Sequence, residues 1–187
     1  MIANRVHYVL DLETLGTRDD AIIASIGIVL LEGGLQADCF YTAINTEQQG
    51  RSFDEETLDW WDEDAQDEAR AEFIPEDEVA KAYMPTLDKD DVLRAVDAFI
   101  NESPHAPIWG NGSDFDNRIL GNAFRQHGME WPYSRNACLR TLRHIVGGER
   151  YTPPVERIKH IAINDAMNEA EELLYLLSRI KVVDKIN

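Results

Sequence analysis

The chain has little cysteine, a shortage of basic residues and no long apolar run, and each shortage removes a class of protein. Its two cysteines, Cys39 and Cys138, stand far apart and form no Cys-x-x-Cys pair. A disulfide scaffold is therefore excluded, and a reducing compartment is expected. The longest apolar stretch, Ala21 to Leu31, is too short to span a bilayer, and the opening Met-Ile-Ala-Asn-Arg-Val-His lacks the apolar core of a signal peptide. The expectation is a soluble cytoplasmic protein without membrane contact. Basic residues number 18 against 35 acidic ones, a net charge of −17. That balance is opposite to the basic footprint usual in proteins that bind nucleic acid.

The imbalance is local. Positions 54 to 78 hold 13 acids and one base, Arg70, so this segment alone carries −12. The other 17 bases and 22 acids leave −5, and Arg118 to Lys159 holds eight bases against three acids. That stretch is the candidate phosphate-facing surface. With 187 residues, 44% of them apolar, the chain is long enough for one ordinary globular domain over 1–187 with a sizeable core.

Strand and helix signals alternate along the chain, without internal repeats or an evident linker. Val6 to Asp11 and Ile22 to Leu31 are short apolar runs rich in β-branched residues; Gly33-Gly34 then signals a hairpin leading into Cys39 to Ile44. Asp54 can cap a helix running through Trp61, and Val92, Val96, Phe99 and Ile100 recur at helical spacing. Ile108 to Gly110 reads as a short buried strand. Phe115 to Gln126 places Ile119, Leu120, Ala123 and Phe124 on one helical stripe that Gly128 ends. The last helix is the clearest, with Ala166, Ala170, Leu173, Leu174, Leu177 and Ile180 at steps of three and four. A hairpin first, then helices and a further strand, predicts an α/β domain with a mixed sheet.

Three places carry acids that this pattern does not require. Asp11 and Glu13 flank Leu12 at the end of the first strand, so alternation points both carboxylates to one side. Such a pair needs protons, water or a cation, and hard oxygen ligands select Mg²⁺ or Mn²⁺. A solvated strand end is the plain alternative. Asp116 falls in the first turn after the flexible segment that follows Trp109, with Asp114 beside it; either could cap the helix or reach a metal. His160 and Asp165 precede and open the last helix, where Ala162 lets the backbone pass close. Here too capping is an alternative.

Taken together, Asp-x-Glu, then Phe-Asp, then His-x-Ala-x-x-Asp resembles the signature of the DEDDh exonuclease superfamily, with Asp11, Glu13, Asp116, His160 and Asp165 in the matching positions. Asp11 to Thr17, Trp60-Trp61 followed by Gln66 and Glu68-Ala69-Arg70, Asn111-Gly112 and Arg140-Thr141-Leu142 look like the branch with T-even phage exonuclease A and bacterial exoribonuclease relatives. Asp114 and Asn164 depart from the usual pattern without removing a catalytic group. The resemblance implies a ribonuclease H-like three-layer fold, a mixed central sheet flanked by helices. It implies a 3′-5′ exonuclease acting on the 3′ end of single-stranded DNA or RNA. Two divalent ions would be held by Asp11, Glu13, Asp116 and Asp165. Thr14, Leu15, Gly16 and Asn111 would meet the terminal nucleotide, and a homodimer is an expectation by analogy.

The chemistry agrees with the side chains. Phosphodiester hydrolysis needs charge neutralised at phosphorus and at the leaving oxygen, which paired cations do, and a base for the attacking water. Imidazole is the side chain that titrates near neutrality, so His160 suits that step. Trp60 and Trp61 could stack on bases, but core packing is the stronger reading. An exoribonuclease specialised for RNA ends or duplex overhangs is one alternative. A non-catalytic acidic protein, even a nucleic-acid mimic working through positions 54–78, is another. Paired carboxylates also serve glycosidases, where the His and the third Asp have no role.

Overall fold

The strand carrying Asp11 and Glu13 lies at the centre of the sheet, which explains why it is so apolar. The computed structural model describes residues 5–47, 49–72, 82–147 and 151–180. Strand β1 (His7–Thr14) pairs with β2 (Ile23–Glu32) in antiparallel register on one side and with β4 (Ile108–Gly110) in parallel on the other. Strand β2 turns through Gly33 and Gly34, at φ 62° and 85°, into β3 (Leu35–Ala43). Both central residues of such a two-residue turn need positive φ, which glycine adopts freely. A fifth strand, β5 (Asn136–Cys138), runs parallel to β4, giving the order β3-β2-β1-β4-β5.

Alternation along β1 divides the molecule into layers. Tyr8, Leu10 and Leu12 face a core formed with Ile26, Ile28, helix α3 (Val92–Asn101) and helix α4 (Asp116–Gln126). Val9 faces the other way, with Val29 and Leu31, into a second core under α5 (Leu139–Val146) and α6 (Ala162–Arg179). The stripe Ala166, Ala170, Leu173 and Leu177 is the surface α6 lays on the sheet. Helices α1 (Glu55–Glu63) and α2 (Asp67–Ala71) close one end, where Trp61 and Ala69 pack with Leu15 and Ala24. The result is an α/β domain of three layers, as expected. None of the described helices is long and apolar enough to cross a membrane.

The structure differs from the sequence reading in three places. Strand β1 continues to Thr14 rather than stopping at Asp11, because pairing with β2 persists through an irregularity at Glu13/Thr14. Strand β3 starts at Leu35, not Cys39; its first five residues are exposed on the sheet edge and carry no inward apolar alternation. Strand β5 and helices α2 and α5 do not figure in the sequence reading. Part of the acidic segment, positions 73–78, lies outside the described residues, as does Arg150.

Candidate active site

The parallel strands β1 and β4 end on the same side of the sheet, and the acids gather there, as ligand sites do at the carboxyl ends of such strands. Asp11 stands opposite Gly27 of β2, and Glu13 opposite Ser25. A Cβ on Gly27 would lie 2.4 Å from the carbonyl carbon and oxygen of Ala162. The first turn of α6 therefore rests directly on the strand beside Asp11. This seating brings Asp165, one turn into the helix, to the two β1 acids. The backbone N–H of His160 donates to Oδ2 of Asp165 at 2.6 Å, and His160 takes φ 62°, unusual for a residue other than glycine. Ligand atoms of Glu13, His160 and Asp165 all lie within 4.8 Å of one another.

Asp116 arrives from the other strand. Gly110 ends β4 without a side chain, and a Cβ there would meet Asn117 at 2.5 Å and Asp116 at 2.9 Å. Asn117 Nδ2 donates to the Ile108 carbonyl at 3.1 Å, holding the start of α4 against β4. Asp116 Oδ1 accepts from the N–H of Leu12 at 3.3 Å, between the two β1 acids. The N-cap position is Phe115, and Asp116, the first residue of the helix, turns Oδ1 to the Leu12 amide of β1. Asp114 is exposed and does not line the cleft.

These carboxyls are crowded and dry, and their proton affinities show it. Burial pushes Glu13 up to about 8, with Asp165 and Asp116 adding repulsion. Burial raises Asp116 to about 7 even though the Leu12 amide and Arg140 oppose the shift. Asp11 is raised well above the usual carboxylate range by burial, then by Glu169, Glu13, Asp116 and Asp165. Asp165 is raised by burial, against the His160 amide. The causes are those expected when carboxylates share a site without a neutralising charge.

Sequence reasoning missed a member of this cluster. Glu169 follows Asp165 by one helical turn, is 8% exposed and lines the same cleft. In the sequence it reads as part of a polar stripe, Glu169-Ala170-Glu171-Glu172, and nothing separates it from its neighbours. The cleft, about 980 Å³, is also lined by Arg140, Arg143 and Lys159. That volume is at the upper end of the range for small-molecule sites. Arg143 is committed to Glu172, two of its nitrogens donating at 2.6 Å. Arg140 is exposed and donates to the Asn111 carbonyl at 2.8 Å. Arg135, from the same basic stretch, is buried and serves the carbonyls of Ile100, Ser103 and Ala106 instead.

The residues expected to meet a nucleotide divide. Asn111 lines the cleft, but its side chain is engaged by Arg143 and Glu169. Thr14, Leu15 and Gly16 do not line it: Thr14 Oγ1 donates to the Gly16 carbonyl, and Leu15 is buried against Trp61. Asp54 accepts from both the N–H and the hydroxyl of Thr17, pinning this loop to the start of α1. Trp61 is core, its indole N–H donating to the Thr14 carbonyl. Trp60 is half-buried and meets the His160 ring edge to face, centroids 4.8 Å apart.

A divalent cation fits this donor set. Asp11 Oδ2 and Glu169 Oε2 are buried without a hydrogen-bond partner among the described residues. Such atoms are costly unless a proton or a cation serves them. The donors are hard carboxylate oxygens, the set that suits Mg²⁺ and Mn²⁺.

Comparison with known proteins agrees with the geometry. The Rv2179c-like 3′-5′ exoribonuclease domain model matches residues 6–177. No curated protein matches. Among solved structures, the nuclease domain of 3′hExo, a DEDDh family member bound to rAMP, is similar at TM-score 0.56 and 12% identity, over 97% of each chain. The zinc-bound complex of E. coli ExoI with single-stranded DNA is similar at TM-score 0.62 and 14% identity, over 94% of this chain and 41% of that one. S. pombe Pop2p in its Mg²⁺- and Mn²⁺-bound form is similar at TM-score 0.50 and 13% identity, over 91% and 83%. At these identities the structural likeness is one of fold, the ribonuclease H-like fold of exonucleases. The match over 6–177 carries more: the chain belongs to the Rv2179c-like 3′-5′ exoribonuclease domain family and is a 3′-5′ exonuclease.

Proposed function

We propose that the chain removes single nucleotides from the 3′ end of single-stranded RNA, using two divalent cations, Mg²⁺ or Mn²⁺. The observation carrying this reading is the convergence of Asp11, Glu13, Asp116 and Asp165 with His160 at one end of an open cleft. Asp11, Glu13, Asp116 and Asp165 would hold the cations. When bound, the cations supply positive charge to the phosphate and the leaving oxygen.

The protein's own groups do the rest. His160 accepts the proton of the attacking water, and Trp60 packed on its ring keeps it turned to the cleft. The water oxygen forms a bond to phosphorus as the bond to the 3′ oxygen of the penultimate nucleotide breaks. A nucleoside 5′-monophosphate leaves, and the freed 3′ oxygen takes a proton from solvent, ending the shortened chain in a 3′-hydroxyl. Arg140 and Lys159, exposed on the rim of the cleft, would meet backbone phosphates. RNA is favoured over DNA by the family description, and the rAMP held by 3′hExo is a ribonucleotide of the expected product class.

The test is a time course on matched RNA and DNA oligomers labelled at the 5′ end, single- and double-stranded. Stepwise shortening of single-stranded RNA at several times the DNA rate is expected. Equal rates, or a preference for DNA, would remove the RNA assignment and leave the exonuclease.

A further inference from the structure

Helix α6 presents two carboxylates to the cleft, and the first alone belongs to the signature. Asp165 and Glu169 are four residues apart, so they stand one above the other on the same helix face. Like charges at that spacing destabilise a helix, so the second acid is not there to support α6. The neighbouring acids show what a structural role looks like. Glu172 is held by Arg143 at 2.6 Å and Glu171 by Arg157 at 2.6 Å. Glu169 makes no ion pair among the described residues, and Arg143, which feels its charge, is held by Glu172. The Asn111 amide serves one of its oxygens, while Oε2 is buried without a hydrogen-bond partner among the described residues.

A glutamine would make the Asn111 contact equally well and carry no charge into the site. The carboxylate has a use there only if positive charge arrives. Asp11 has the complementary defect: its Oδ2 is also buried without a hydrogen-bond partner among the described residues, and it lines the same cleft as Glu169. Among the donors, Glu13 and Asp165 form one group, their ligand atoms within 4.8 Å of each other and of a ring nitrogen of His160. Asp11, Asp116 and Glu169 line the same cleft outside that group. We propose that Glu169 is a fifth carboxylate ligand of this centre, completing the second cation position together with Asp11 and Asp116.

This assignment rests on the two-cation reading above, and one titration separates the two. Free Mn²⁺ is followed by electron paramagnetic resonance during titration of the wild-type chain, Glu169→Gln, Glu169→Asp and Glu171→Gln, with no nucleic acid present. The wild type and Glu171→Gln are expected to take up two ions with matching curves. Glu169→Gln keeps the shape of the residue and should retain one ion while binding the other at least about tenfold more weakly, a change of roughly 1.4 kcal/mol. Glu169→Asp withdraws the carboxylate by one methylene and should weaken the same ion; it carries the test if Glu169→Gln melts early. A Glu169→Gln curve that superposes on a two-ion wild-type curve overturns the assignment of Glu169 and leaves the centre. A wild type that binds one ion, unchanged by either substitution, also overturns it. A wild type that binds none overturns the metal centre and this proposal with it.

Discussion

The backbone amide of His160 donates to Asp165 across five residues at 2.6 Å, and the bond holds His160 in a left-handed conformation, φ 62°. One contact therefore places both the proposed base and a proposed carboxylate ligand. Left-handed backbone costs a residue with a Cβ about 1–2 kcal/mol relative to glycine. His160→Gly is expected to melt above His160→Ala. Both should lose about 10²–10⁴-fold in kcat while binding Mn²⁺ as the wild type does. Retained activity in either variant would remove His160 as the base.

The protonation of the cluster sets how metal-free stability depends on pH. Glu13 at about 8 and Asp116 at about 7 keep protons that the unfolded chain has already released. Raised carboxyl pKa values mean stability that is complete at acid pH and lost as pH climbs through those values. In chelator, the melting temperature should fall between about pH 5.5 and pH 8. Saturating Mn²⁺ binds the ionised form and should flatten or reverse the trend. A melting temperature that rises with pH in chelator would contradict the assigned crowding.

Removing one buried acid should stabilise the empty site and destroy its function. Asp11→Asn is expected to melt higher than the wild type at about pH 8 in chelator, by about 2–4 °C for each kcal/mol of repulsion relieved. Its exonuclease rate should be undetectable in Mn²⁺. Calorimetry and a labelled-oligomer assay on the same preparation check both halves.

Gly27 lies outside any catalytic motif yet should be intolerant of change. A methyl group added there would stand 2.4 Å from the Ala162 carbonyl, which occupies the space a side chain would need. The obstacle is backbone, so Gly27→Ala must lift α6 off β2. Overpacking of this kind costs about 1–3 kcal/mol. Loss of both melting temperature and kcat is expected, since Asp165 moves with the helix. Circular dichroism melts with single-turnover rates measure the pair.

Arg140 offers a contrasting case on the rim. Exposed and outside the apolar cores, it can be replaced with little effect on folding. Arg140→Ala should raise KM for RNA several-fold, reduce the salt dependence of binding and leave the melting temperature within about 2 °C.

Much of this centre is legible in the sequence because short-range geometry fixes it. Alternation alone puts Asp11 and Glu13 on one face of β1, and the α6 stripe requires Asp165 to lie at the sheet end of its helix. Glu169 is illegible for the opposite reason: an acid in an acidic helical stripe looks solvated until the helix is docked. The basic stretch divides in the same way. Arg135 and Arg140 are equivalent in sequence, and only the fold commits one to buried carbonyls and the other to the rim. Strand β5 escapes notice because three residues paired along one edge have no period to detect. The loop Thr14-Leu15-Gly16 reads as substrate-facing by resemblance, but here Leu15 packs against Trp61, and the carbonyls of Thr14 and Leu15 accept from the Trp61 indole and the Asp54 amide.

The most direct measurement is an anomalous difference map from crystals soaked in Mn²⁺. Peaks in contact with the carboxylates of Asp11, Glu13 and Asp165 are the expected result. A map without peaks, in which those carboxyls hydrogen-bond to one another as protonated acids, would contradict the account.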